Sequence, residues 1–360
     1  MNNSLNEPKL EPKKLLDAKY IFIDGISRSG KAAIAPIISS IPNFEHFKSN
    51  YNLDRILFLF ETNKITKDAF RYFLETDLIM DTWFTLIGRN QNTNKHDVSS
   101  IVNSPNFNKY KKRENKKDNK KVFEELSSEL KENNIIFPYL TDDFVFHKKL
   151  VKEIVPNSQF IITIRNPIEL IFAWERSGRG VRYGKDIRML HPTFSKNKFK
   201  NIPYFAIENP EKYSNYNSIE RCVYSVIKLQ SQYYDLFEKD SNDLYCIDFE
   251  KYVQDPTSDL NNLSKFLELN HVKWNQEILK QARIPRELEL DLHKLKTRLV
   301  FSGINEELEK ELLKLSLRHI KLFGNHYNAN YNELSLQYEK SVDFNKVTNE
   351  PKYKNGWRIN

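Results

Sequence analysis

Glycine is scarce in this chain, nine residues in 360. Two of the nine bracket one turn, Gly25-Ile26-Ser27-Arg28-Ser29-Gly30, which runs on into Lys31 and Ala32. An apolar run precedes this turn and a helical pattern follows it. In that setting successive backbone N–H groups converge on an anion, and the start of the helix adds partial positive charge. Glycine suits such a loop because the backbone must turn to positive φ or let a ligand approach closely. Arg28 and Lys31 can neutralise phosphate groups there. Gly25, Ile26, Ser27, Arg28, Ser29, Gly30, Lys31 and Ala32 are therefore expected to cradle a phosphorylated nucleotide.

The segment matches the phosphate-loop pattern GxxxxGK[ST] at every position but the last, where Ala32 stands. In phosphoryl transfer that Ser/Thr hydroxyl holds Mg²⁺, which offsets the charge between the β- and γ-phosphates. Ala32 and Ala33 supply no oxygen. The spacing thus disfavours a Mg·ATP enzyme and favours a donor whose transferred group carries less charge. A P-loop small-molecule kinase remains the alternative, with Asp24 and Asp248 ending strands where an acidic metal ligand would stand. A second basic centre is Arg165, at the carboxyl end of the apolar run 159–164, where ligands bind in open α/β sheets. Its planar fork suits a phosphate. Further on, Arg176, Arg179, Arg182 and Lys185 are set among Gly178, Gly180 and Gly184. That loop reads as one that closes over a nucleotide or holds an anionic acceptor.

The order strand-Gly-x-x-Arg-Ser-Gly-helix near the N-terminus resembles the 5′-phosphosulfate loop of the sulfotransferases that use 3′-phosphoadenosine 5′-phosphosulfate (PAPS). Arg165-Asn166-Pro167, between a strand and the helix Ile168 to Trp174, is similar to that family's 3′-phosphate element. Asp248-Phe249-Glu250-Lys251-Tyr252 through Asp255-Pro256, with Phe266-Leu267-Glu268-Leu269 beyond, resembles a third family segment. The three pieces keep the family's order and span residues 19 to 269.

The resemblance implies a three-layer α/β/α fold with a mainly parallel sheet, of the P-loop NTPase-like sulfotransferase architecture. It implies transfer of a sulfuryl group from PAPS to a hydroxyl or amine of a saccharide, lipid or small molecule, with no metal. Lys31 or Arg28 would be the cation on the departing phosphate. The family's base is a Glu or His just after the second strand, which points to Glu45 or His46; on a strand only one of two neighbours can face the site. Asp142-Asp143 lies where some members carry a catalytic His. The family places a Ser eight positions after the Arg of its 3′-phosphate element. Ala173 stands there, and Ser177 one turn later is the substitute candidate. Ala32 and Ala173 also leave open a nucleotide-binding protein of this fold without activity. Lys354-Asn355-Gly356-Trp357-Arg358 resembles the basic loop that seals the 3′-phosphate in some members.

These groups need a scaffold, and the patterning supplies one. Strands are expected at 19–24, 43–47, 159–164 and 244–248. Helices are expected at 31–41 with a kink at Pro36, across 54–88, and at 122–133, 144–155, 167–175, 218–237, 260–269 and 306–322. Strands alternating with helices give a parallel sheet covered on both faces. A polar arm (1–18), a single α/β domain (19–324) and a packed tail (325–360) divide the chain. The polar stretch 91–121 reads as a basic surface insertion.

The composition fits a folded protein: 39% hydrophobic and 13% aromatic residues, with a net charge of +8 and a pI near 9.1. That charge suits an anionic ligand, although nucleic acid is not the expected partner. Two cysteines give no disulfide framework, and the eight histidines show no metal-ligand spacing. With no apolar leader and no run of about 18 apolar residues, the chain reads as cytoplasmic.

Overall fold

A computed structural model describes residues 10–12, 16–186, 189, 191–239, 244–269, 272–286 and 304–324. The 325–360 tail, with Lys354 to Arg358, lies outside the described residues. Strand β1 (Lys19–Asp24) leads through the glycine turn into α1 (Lys31–Ile38). Then come β2 (Lys48–Ser49), α2 (Tyr51–Glu61), α3 (Lys67–Leu86), α4 (Phe107–Arg113), α5 (Lys120–Asn133) and β3 (Ile136–Leu140). Helix α6 (Lys148–Ile154) precedes β4 (Ser158–Ile164), α7 (Pro167–Arg176) and the one-turn α8 (Arg179–Arg182). A hairpin of β5 (Thr193–Lys196) and β6 (Phe199–Pro203) leads to α9 (Pro210–Asn215) and α10 (Ser218–Lys239). The described chain ends with β7 (Leu244–Asp248), α11 (Phe249–Gln254), α12 (Pro256–Phe266), α13 (Gln276–Gln281) and α14 (Glu306–Phe323).

The central sheet has the order β2-β3-β1-β4-β7, and every pairing in it is parallel. Alternation along β1 divides the core. Tyr20 and Phe22 pack with Phe160 and Ile162 on one face, while Ile21 and Ile23 pack with Ile34, Ile37 and Ile161 on the other. Both faces are covered, which makes a three-layer α/β fold, and β1 reads as a near-continuous apolar run for that reason. Phe22, with rings of Phe144 and Phe160 at 4.7 and 5.4 Å, anchors the first face; cutting it to Ala would cost about 3–5 kcal/mol. From β1 the chain moves toward β3, and from β4 it moves toward β7. A crevice therefore opens at the carboxyl ends of β1 and β4, the usual ligand position in such sheets.

Several boundaries differ from the sequence expectation. Residues 43–47 give no strand beyond a single bridge from Phe44 to Ile136, and the ladder forms at Lys48–Ser49. Phe44 and Phe47 are both fully buried in the same apolar cluster, and a spacing of three does not fit the two-residue period of a strand. The long helix is two helices, because Thr66 caps α3 by accepting from Ala69 N at 3.2 Å after a left-handed Asn63. Helix α1 contains Pro36 and stops at Ile38, short of the expected Ile41. The β5–β6 hairpin has no clear sequence signal. Among the described residues, no helix is long and apolar enough to cross a membrane.

Candidate functional site

The glycine turn closes on itself through two of its amides, Gly25 N donating to Asp24 Oδ1 at 2.7 Å and Ser29 N to Ile26 O at 2.9 Å. Gly25 and Gly30 adopt φ of +138° and +118°, and Arg28 between them is also left-handed at +75°. A Cβ on Gly30 would sit 2.2 Å from the Phe249 ring, and one on Gly25 2.6 Å from the Thr163 carbonyl. Only glycine fits at either place. Ser29 is fully buried and ties the turn to β4 through Thr163 Oγ1 at 2.5 Å. Trp174 Nε1 donates to Ser27 O at 2.7 Å, and an Arg165 Nη donates to Arg28 O at 3.1 Å. Both loop carbonyls are thus held from outside. Helix α1 begins with no side-chain cap and no acidic residue in its first turn. Its leading amides and its dipole suit a bound anion.

Positive charge gathers around the same turn. Arg28 is exposed, and its guanidinium sits below its ordinary range, first from partial burial and then from Arg179, Arg182, Arg165 and Arg176. Arg179 donates to Ser27 Oγ and stacks 5.1 Å above Trp174. Arg165 lies 5.2 Å over Phe249, with Glu169 and Glu250 each 3.5 Å away. So many guanidiniums around one loop repel each other until an anion arrives.

Lys31 points the opposite way, into the crevice. Its ammonium donates to Thr141 O and to Asp142 Oδ1 beyond the end of β3. Burial works against the Lys31 charge, yet Asp142 and Asp24 raise its pKa overall. Burial would likewise raise Asp142, but Lys31 and then His191 bring it below the ordinary carboxylate range. The other Asp142 oxygen faces His191 Nε2 at 3.5 Å, and His191 Nδ1 has no hydrogen-bond partner among the described residues. His191 lies among Phe58, Tyr183 and Tyr204, and burial pushes its pKa down to about 4. The imidazole is therefore neutral near pH 7 and free to take a proton. Asp54 accepts from Asp142 N at 2.8 Å and fixes the turn that carries it.

No protein-family model matches the chain, and no curated protein matches it. Solved structures similar to it include a sulfotransferase from Alicyclobacillus acidocaldarius, at 13% identity and a TM-score of 0.35, covering 83% of this chain and 95% of that one. The sulfotransferase domain of the olefin synthase of Synechococcus PCC 7002 shows 13% identity and a TM-score of 0.36, over 82% and 99% of the two chains. A sulfotransferase domain from the curacin biosynthetic pathway shows 12% identity and a TM-score of 0.38, over 91% and 99%.

The structure separates the expected site residues into two groups. Gly25 to Ala32 and Arg165 come together at the crevice. Glu45 does not join them. Fully buried, it takes a fork from Arg113 at 2.7 and 2.8 Å and a third bond from Lys109 at 2.9 Å. Burial alone would raise its pKa, but Arg113 and Lys109 hold it below the usual range. That ion cluster corrects the reading of the basic stretch as wholly surface, since Arg113 is buried. It also removes Glu45 as a base. His46 is buried beside a separate cleft with its pKa pushed down to about 4 by burial. Ser177 caps the far end of α7, its hydroxyl donating to Trp174 O at 2.9 Å, about 15 Å of helix away from Arg165.

Asp24 offers nothing to a metal, since it accepts from Gly25 N, Tyr233 OH, Thr141 Oγ1, Phe144 N and Val145 N. Asp248 caps α11. Among the described residues, Asp248, Glu250 and His319 bring ligand-type atoms within 4.8 Å of one another. Glu250 there already accepts from Asn166 N at 2.9 Å and His319 meets Tyr234 OH at 2.8 Å. His191, Asp54 and Tyr204 were not foreseen. No local motif marks them, because they reach the crevice from three different elements.

Proposed function

We propose that this chain is a sulfotransferase that moves a sulfuryl group from PAPS to an acceptor hydroxyl or amine. The observation that carries this is the position of Lys31, at the junction of an anion-shaped loop and the Asp142–His191 pair. The loop amides and the arginines around Arg28 would hold the donor's phosphates, with Arg165 beside them. Lys31 would leave Asp142 for the bridging oxygen as charge develops there, a preorganised cation of the kind worth about 10²–10³ in rate. The acceptor oxygen attacks sulfur, the bond from sulfur to the phosphate oxygen breaks, and that electron pair leaves on adenosine 3′,5′-bisphosphate. The acceptor proton passes to His191 Nδ1, and Asp142 on the opposite ring nitrogen stabilises the imidazolium. Ala32 and the saturated Asp24 weigh against the kinase alternative. The test is release of adenosine 3′,5′-bisphosphate from PAPS, with EDTA and a mixed pool of hydroxyl and amine acceptors. Wild-type protein should accelerate release and a Lys31→Ala variant should not. Turnover of Mg·ATP alone would refute the proposal, and tight bisphosphate binding without release would mark an inactive member of the fold.

A further inference from the structure

A second cleft of about 370 Å³ opens beside β2, between the start of α2, the middle of α3 and the 90–101 segment. That volume lies within the range of small-molecule sites. It reaches the carboxyl edge of the sheet, since Ser49 on its wall pairs with Leu140, two residues before Asp142. Helix α2 links the two places along one face: Tyr51 lines the cleft, Asp54 one turn on accepts from Asp142 N, and Phe58 packs on His191.

The cleft holds more buried polar atoms than it satisfies. Both nitrogens of His46 lie near the Ser99 and Ser100 backbone yet have no partner at hydrogen-bonding geometry. Among the described residues both amide atoms of Gln91 also lack a partner, and the Tyr110 hydroxyl, close to the His46 backbone and Ser104, meets neither at hydrogen-bonding geometry. His46 and Tyr110 are more than nine-tenths buried, at 7% and 1% exposure. Each such group costs about 1–3 kcal/mol unless a ligand completes it. A lipid tail would leave all of them bare. An anion would meet Asp77, Asp81 and Asp97, while the lysine on the wall, Lys48, is engaged by Asp81 at 2.9 Å. Phe84, Tyr51 and Met80 add apolar surface. Ring faces with clustered donors and acceptors, and no spare cation, fit a ligand with many hydroxyls, apolar C–H faces and no negative charge.

We infer that this cleft is the acceptor subsite and that it takes a neutral saccharide unit. The chemical role rests on the transfer activity proposed above, whereas the binding does not. The experiment titrates the full chain by calorimetry with maltotriose, lactose and diacetylchitobiose, with glucuronate and a sulfated disaccharide as anionic controls, and separately with adenosine 3′,5′-bisphosphate. At least one neutral sugar should bind saturably and more tightly than the controls. Gln91→Ala should weaken it about tenfold and leave bisphosphate affinity unchanged. If Gln91→Ala fails to fold, Asn52→Ala on the exposed rim serves the same comparison. Bisphosphate binding with no neutral sugar bound, anionic sugars bound as tightly, or an unaltered affinity in both variants would overturn the subsite and leave the donor site standing. Sugar binding without bisphosphate binding would keep the cleft and remove the transfer activity.

Discussion

Two buried ion clusters in this molecule use similar residues to opposite ends. In the first, Glu45 is enclosed by Arg113 and Lys109, and its carboxylate is fully engaged. In the second, Lys31 leans on Asp142 beneath a turn crowded with arginines, which add to partial burial in lowering the pKa of Arg28. The first cluster is a closed clamp between α4 and the segment before β2. The second is closed only provisionally: removing Lys31 to a ligand would leave Asp142 with His191 still beside it. The two clusters thus differ in enclosure: Glu45 is fully buried between its partners, whereas Asp142 keeps one oxygen toward His191.

Breaking the closed cluster should cost the most. Arg113→Ala leaves a fully buried carboxylate with Lys109 alone and should lower unfolding free energy by about 3–5 kcal/mol, read from urea transitions. A loss below about 1 kcal/mol would show that Glu45 is not enclosed as described. Lys31→Ala should instead act on catalysis, reducing kcat about 10²–10³-fold in single-turnover assays on protein shown to be folded.

His191→Asn sharpens the contrast further, with an expected loss of about 10²-fold in kcat and unchanged affinity for adenosine 3′,5′-bisphosphate. Its pH behaviour follows from a pKa lowered from 6.5 to about 4, a shift His46 shares. Between these values the unfolded chain binds more protons than the folded one, so stability rises with pH through that window. It is fully present above about 6.5 and lost as pH falls toward 4. The urea midpoint should fall steeply over that range and less steeply in His191→Asn. The acid limb of kcat/KM should lie near pH 4, and a limb at 6.5 would exclude this histidine as the base.

Arg179→Ala should weaken bisphosphate binding by about 1.5–3 kcal/mol, as for a hydrogen bond to a charged group. The smallest effect belongs to Ser177→Ala. Its hydroxyl serves a helix end, so bisphosphate affinity should not move in the same titration.

Much of this was legible in the chain itself. Strands β1 and β7 fall on the expected residues because each is a short apolar run ended by an aspartate before a helix. Helix α7 also begins where expected, with Asn166 capping it by accepting from Ile168 N and Glu169 N. The glycine turn was visible because glycine is rare elsewhere. The proposed base was not. Glu45 and His46 stand at the sequence position that the resemblance suggests, but two arriving cations from α4 close over Glu45. That contact joins residues 68 apart, which no local pattern encodes. His191 reaches Asp142 from the segment just before a hairpin whose strands hold no clear alternation.

The Gly25–Lys31 turn is expected to receive a nucleotide's phosphates without a divalent metal. Calorimetric titration of the full chain with adenosine 3′,5′-bisphosphate in EDTA measures this directly. Saturable binding that disappears when Arg28 and Lys31 are both replaced by Ala is the predicted result. Binding of Mg·ATP alone, or bisphosphate affinity indifferent to those two substitutions, would contradict it.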